Sequence, residues 1–185
     1  MKKLISLLLI PIAIILATSC STNIHEYQGE QPRFDLKDYF TGNITAWGML
    51  QNYSDKVTRR FCVDIEGEWK ANKGLLKETF YFDDGEVTHR NWQLMKMENG
   101  KYLGTASDVV GEAKGQEQGF AFHWNYVLKV PVDGSEYNIA MDDWMYRMDK
   151  NRVMNKTTMK KFGVRVGEVT LFFEKSLPVT QCKSM

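Results

Sequence analysis

What this chain lacks excludes most catalytic chemistries. Histidine is scarce: His25, His89 and His123 are the only three, none has another at i+2 or i+4, and no His-Glu-x-x-His occurs. A zinc centre would have to be assembled from distant strands rather than written locally. Gly-x-Ser-x-Gly elbows and phosphate-cradling glycine loops are absent, so nucleophilic and nucleotide chemistry have no linear signature, and no cofactor is implied. Neither sign of charge is in excess, with 24 Lys and Arg against 23 Asp and Glu. Phosphate backbones call for a clustered basic surplus, so nucleic acid is not an expected partner. The long helices that a parallel sheet needs as crossovers are missing as well. Cysteine is confined to Cys20, Cys62 and Cys182.

The N-terminus carries the most specific signal. Lys2 and Lys3 are followed by an apolar run from Leu4 to Leu16 that is short for a bilayer span, then by small residues and Cys20. This is the pattern of a bacterial lipoprotein signal, in which the cysteine is alkylated by a diacylglyceryl group, exposed by cleavage and acylated on its new amine. Ala17 stands where such signals more often have leucine; an ordinary secretory signal or a short anchor are the other readings. Cys20 is the expected lipidation site, and several acyl chains hold far better than one because each buried CH₂ adds about 0.8 kcal/mol. Ser21, rather than an aspartate, points to the periplasmic face of the cell outer membrane. The expected organisation is a signal peptide over 1–19, a lipidated polar tether over 20–32, a β-barrel domain over 33–176 and a C-terminal tail over 177–185. The mature chain has 166 residues, with 22 basic and 23 acidic side chains, enough for one domain with a core. Its aromatic content and alternating runs exclude disorder.

Cys62 and Cys182 leave two readings. An oxidising compartment would let them pair and staple the C-terminus to the barrel wall. The plainer reading is two free thiols, one of them buried.

The body reads as strand. Phe34, Leu36, Tyr39 and Phe40 recur at near-helical spacing, which predicts a short helical turn or plug at one end of the body, closed by Gly42. Strands follow over 43–53, 57–69, 76–82, 86–97 and 120–130. Phe61, Val63 and Ile65 alternate with Cys62, Asp64 and Glu66. Phe120, Phe122, Trp124, Tyr126, Leu128 and Val130 share one face, with Ala121, His123, Asn125 and Lys129 on the other. Asp83-Asp84-Gly85, Asn99-Gly100 and Asp133-Gly134 are hairpin signals. Gly111, Gly115 and Gly119 read as a flexible connection. A run of long antiparallel strands leaves two open edges unless it closes, so the expected fold is all-β: an antiparallel, up-and-down, lipocalin-like β-barrel with a short N-terminal helical segment, a sandwich being the alternative. Eight strands would suffice to hold one small ligand. The Gly-x-Trp start of most lipocalins is missing, and Ala46-Trp47-Gly48 is only a reversed echo.

Several stretches resemble a known group. Asp84-Gly85-Glu86 leading to Arg90-Asn91-Trp92, Tyr102-Leu103-Gly104-Thr105-Ala106 with Asp108-Val109-Val110-Gly111-Glu112-Ala113, Asp142-Asp143-Trp144-Met145-Tyr146, and Lys161-Phe162-Gly163 with Gly167-Glu168-Val169 are similar to the uncharacterised proteobacterial lipoproteins grouped as domain of unknown function 3833. The similarity covers nearly all of the mature chain. It implies a lipoprotein of lipocalin-like build and supplies no catalytic residues.

Arg90, Trp92, Trp124, Trp144, Tyr146, Met148 and Met159 are the candidate ligand-binding residues. Stiff aromatic faces with polar tips suit an apolar molecule oriented by a few hydrogen bonds, and Met141, Met145 and Met154 would add adaptable surface. Plain core is the other use of such stripes. Asp142 and Asp143 project to opposite faces of a strand. One of them facing inward would have a raised pKa or pair with Arg90 or Lys160; the blander reading is a solvated pair or a bridge to Arg147. Two functions compete: an outer-membrane-anchored protein binding an apolar or amphipathic small molecule, and a non-enzymatic structural or assembly factor of the envelope with a filled barrel. An enzyme without a linear motif is a weaker third.

Overall fold

A computed structural model describes residues 22–132, 134–176 and 182. Ten antiparallel strands close into one barrel in the order β1-β10-β9-β8-β7-β6-β5-β4-β3-β2. The strands are β1 (Gly42–Asn52), β2 (Val57–Lys70), β3 (Lys73–Phe82), β4 (Val87–Lys96), β5 (Lys101–Thr105), β6 (Ala113–Gln118), β7 (Ala121–Val132), β8 (Ser135–Arg147), β9 (Arg152–Lys161) and β10 (Val164–Glu174). Each pairs with its sequence neighbours, and β1 also pairs with β10 from Thr45↔Glu174 to Asn52↔Gly167. That last ladder satisfies both edges, which settles barrel over sandwich.

Ten strands replace the expected eight: β5 follows the Asn99-Gly100 turn, and β6 lies inside the segment around Gly111, Gly115 and Gly119 read as a flexible connection. Ala-Lys-Gly-Gln-Glu-Gln has little strand propensity of its own. Its neighbours impose the conformation: Gly115 pairs with Trp124 across the β6–β7 ladder, and a Cβ on Gly115 would overlap the rings of Trp124 and Phe122. Glycine here is a packing requirement rather than a sign of flexibility.

The up-and-down order puts the β1–β2, β3–β4, β5–β6, β7–β8 and β9–β10 turns at one end and the remaining turns at the other. The second end is plugged. Phe34, Leu36, Tyr39 and Phe40 are all buried in the core, and Leu36–Tyr39 forms the single α-turn α1, N-capped by Asp35, whose side chain accepts from Asp38 N at 3.1 Å. So short a helix has no stability of its own; the barrel holds it. Trp69 Nε1 donates to Phe40 O at 3.1 Å, Tyr39 Oη to Asn151 O at 2.9 Å, and Leu36 N to Glu117 Oε2 at 3.2 Å.

Two expectations about the termini change. The described part of the stretch read as a tether is packed: Asn23 caps a 3-10 turn over Ile24–Tyr27, Ile24 is buried, and the Tyr27 ring meets Phe120 at 5.1 Å and Tyr146 at 6.0 Å on the outer wall. Cys62 and Cys182 are not free thiols but a disulfide, with Cα atoms 5.2 Å apart across 120 residues of sequence. Cys62 points outward from β2, so the bridge fastens the C-terminal region to the outside of the wall. In the chain-entropy account a loop of that length gives about 5 kcal/mol, mainly through the unfolded chain. Residues 1–21, including Cys20, and the rest of the tail lie outside the described residues.

The candidate ligand site

Between the plug and the far end the barrel encloses a cavity of about 520 Å³ that opens at the unplugged end. Ligand cavities run from about 300 to 1,000 Å³. Period-2 alternation builds its walls: β2 contributes Phe61, Val63 and Ile65, while β7 contributes Phe122, Trp124, Tyr126, Leu128 and Val130. Leu36 and Phe40 of the plug form the floor. Trp92 stands edge-on to Trp124 at 5.7 Å and to Tyr126 at 5.4 Å, making a rigid aromatic wall.

A polar belt crosses this apolar interior. Arg90 projects inward from β4 and is clamped by Asp108 of the β5–β6 connection, with Nε at 2.8 Å and Nη2 at 2.7 Å from Oδ2. Its Nη1 lies 3.8 Å from Glu78 Oε2, an oxygen that is buried and accepts no hydrogen bond. Asp143, buried on β8, is bonded by Asn155 Nδ2 and lies 3.5 Å from Tyr126 Oη. Burial pushes the Glu78 carboxyl up to about 7, the Asp108 and Asp143 carboxylates adding to it and Arg90 opposing it. Asp143 is likewise pushed up to about 7 by burial, against its hydrogen bonds from Asn155, Thr157 and Tyr126. Near neutral pH the belt can therefore present either carboxylates or proton-donating acids to whatever fills the cavity.

The candidate residues separate into two groups. Arg90, Trp92, Trp124 and Met159 line the cavity. Trp144, Tyr146 and Met148 do not. Register explains the first two: Trp124 pairs with Asp143, and His123 with Trp144, so Trp144 and Tyr146 share the outer face with His123. There His123 stacks on Trp144 at 3.9 Å, and both ring systems hydrogen-bond Asp142 Oδ1, at 2.8 and 3.2 Å. Met148 is exposed in the β8–β9 turn. Asp142 and Asp143 do project to opposite faces, and neither fits the solvated-pair reading: Asp142 is bonded to Lys160 at 2.8 Å, while Arg147 turns to the carbonyls of Asp149 and Arg33.

Sequence reasoning missed Glu78, Asp108, Tyr126, Asn155 and Thr157 as cavity residues. A signal for Glu78 was present, since it shares its parity with Leu76, Phe80 and Phe82 and is thus a carboxylate in an apolar register. Asn155 and Thr157 likewise share theirs with Val153 and Met159. Asp108, on a connection, carries no parity and could not be found this way.

A closed antiparallel barrel with one plugged end and an internal cavity defines a lipocalin-like protein, a build that fits small-molecule binding. The chain belongs to the family described as "Protein of unknown function (DUF3833)", which matches residues 14–175. Among solved structures, the S-type phycobiliprotein lyase CPES from Guillardia theta is similar over 77% of this chain and 91% of its own, at 11% identity and a TM-score of 0.56. Apocrustacyanin C2 overlaps 80% of this chain and 70% of its own at 14% identity, with a TM-score of 0.39. These likenesses are of fold alone. No curated protein matches the sequence.

Proposed function

We propose that this protein is a lipid-anchored carrier at the periplasmic face of the outer membrane. It takes an apolar or amphipathic small molecule into the barrel. In this reading Cys20 carries the acyl chains. The ligand's apolar part packs against Trp92 and Trp124, and a polar group meets the belt of Arg90, Glu78 and Asp143. The observation that carries the reading is the open cavity itself: a scaffold with a filled barrel would have no reason to leave about 520 Å³ between a sealed floor and an open mouth. Such a void forgoes packing energy that neighbouring side chains would otherwise gain.

The test is mass spectrometry of small molecules released from the protein extracted from its native membrane, with titration of the emptied protein by an apolar fluorescent probe. Saturable binding is expected, weakened about ten- to a hundredfold by Trp92→Ala and unaffected by Trp144→Ala, since losing an aromatic wall removes on the order of 1.5–3 kcal/mol of contact. Absence of any released compound together with no saturable probe binding would return the barrel to the scaffold reading.

A further inference from the structure

The apolar residues that the fold leaves in water are not scattered. Among the described residues ten large hydrophobic side chains are exposed, and only Met97 and Met148 lie at the plugged end. The other eight sit on or beside the turns that ring the cavity mouth. Six of these form one arc: Tyr53 and Val57 at the β1–β2 turn, Val132 and Tyr137 at β7–β8, and Phe162 and Val164 at β9–β10. The strand order makes these three turns consecutive around the rim. Phe162 is the extreme case, 95% exposed, and it occupies the first position of a two-residue turn with φ at +51°, followed by Gly163 at +80°. Such turns favour asparagine or glycine, and a bulky side chain with positive φ is strained. A residue that is both strained and almost wholly in water serves neither folding nor solubility.

Charge follows the same division. The apolar arc carries Lys56, Lys129 and Lys161, with the Lys161 ammonium 3.6 Å from the centre of the Tyr137 ring. The opposite tip, β3–β4, carries Asp83, Asp84 and Glu86, which are tied to Arg60 and Arg59. The arc's sequence also holds Arg165, bound to Asp55 at 2.6 Å, and the acids Asp133 and Glu136, so the arc keeps one more base than acid and the β3–β4 tip one more acid than base.

We infer that this arc docks on a lipid bilayer: Phe162 and its neighbours enter the interface below the headgroups, and the lysines meet anionic headgroups. Aromatic and aliphatic tips on separate hairpins suit a soft, laterally mobile surface, and the Lys161 ammonium beside Phe162 and Tyr137 suits an anionic headgroup layer above it. The bilayer is the one that an anchor at Cys20 would enter. The described chain starts on the outer wall near the plugged end, where Tyr27 packs on Phe120 of the β6–β7 turn and on Trp144 of β8, and β7 and β8 run from there along one flank to the first tip of the apolar arc at the mouth. The barrel lies along that flank, with its mouth against lipid, so an apolar ligand passes between bilayer and cavity without crossing water. Only this choice of bilayer rests on the lipidation reading.

The experiment places a polarity-sensitive fluorophore on Phe162→Cys or Met148→Cys in the mature protein, whose other thiols are paired or acylated, and adds protein-free vesicles of phosphatidylethanolamine and phosphatidylglycerol. The label at 162 is expected to shift to the blue and to be quenched by brominated acyl chains, that at 148 to do neither, and Lys161→Glu or high salt to weaken the quenching. Phe162→Asn, read with the label on Val164→Cys, is expected to raise the melting temperature while lowering partitioning about tenfold, the loss of one buried aromatic side chain. Opposite signs are not expected of a merely structural residue. No shift at 162 overturns the inference, and so does equal quenching at both positions, which would be indiscriminate adsorption. A shift seen with native membranes but not with protein-free vesicles overturns it in favour of a protein partner. Acyl labelling of Cys20, followed in parallel, separates failure of the anchor from failure of the docking.

Discussion

The two ends of this barrel are finished in opposite ways. At the plugged end four apolar side chains from one short segment are buried, and the segment is tied to three different strands or turns, by the Leu36 and Phe40 backbone and by the Tyr39 hydroxyl. At the mouth the apolar side chains point outward and belong to separate hairpins, and the polar residues pair mainly within their own neighbourhood. The same strands run through both ends, so the difference lies in what their turns and the preceding segment supply. One end is built for stability. The other is free to meet something else.

The contrast is broken most directly at the floor. Phe34 is fully buried, 6.0 Å from both Tyr39 and Phe122. Phe34→Ala is expected to cost about 3–5 kcal/mol in denaturant unfolding, the range for truncating a core aromatic; a cost below about 1 kcal/mol would mean that the plug is an ornament on a self-sufficient barrel.

A somewhat smaller effect is expected from pH, through the belt between the two ends. Glu78 and Asp143 hold their protons up to about 7 when folded, whereas unfolded carboxyls release them near 4. The folded state therefore binds more protons through that window, and stability falls as pH rises from about 4 to about 7. The decline is bounded by about 4 kcal/mol for each carboxyl, about 1.4 kcal/mol for every pH step of one across the window, and the coupling between the two keeps the total below the sum. Glu78→Gln should flatten it, which thermal melts at pH 5 and pH 8 would show. An equally steep decline in that variant would remove Glu78 from the explanation.

At the mouth, Gly85 turns the β3–β4 hairpin with φ at +87° and open space around it. Gly85→Val should cost about 1–3 kcal/mol from backbone strain alone. If its melting midpoint matches the parent's, the tip relaxes freely and the mouth is looser than its hydrogen bond from Gly85 N to Phe82 O, at 3.0 Å, suggests.

Much of the frame was legible beforehand, and the reasons are local. The plug was visible because Phe34, Leu36, Tyr39 and Phe40 repeat at one spacing, and the inward face of β7 because alternation over five apolar positions from Phe122 to Val130 leaves a single solution; Phe120, expected on the same face, falls instead in the β6–β7 turn and packs on Tyr27 outside. The errors have a common cause too. Trp144 and Tyr146 look like pocket residues by composition, yet the inward parity of β8 is Ile139, Met141, Asp143, Met145, and a buried aspartate hid it. The strand β6 was hidden by its glycines, whose value shows only when the Trp124 ring lies over Gly115.

What the sequence determined by itself is whatever depends on near neighbours: strand periodicity, the hairpin turns and the plug. Tertiary structure alone decided closure by β1 on β10, the count of ten strands and the Cys62–Cys182 bridge. It also decided the meeting of Glu78, Arg90, Asp108 and Asp143 in one belt and the gathering of exposed apolar tips around one mouth. The physical reason is that ladder register couples residues more than a hundred positions apart. A side chain's face can be read from its own strand, but its companions depend on which strand lies across from it.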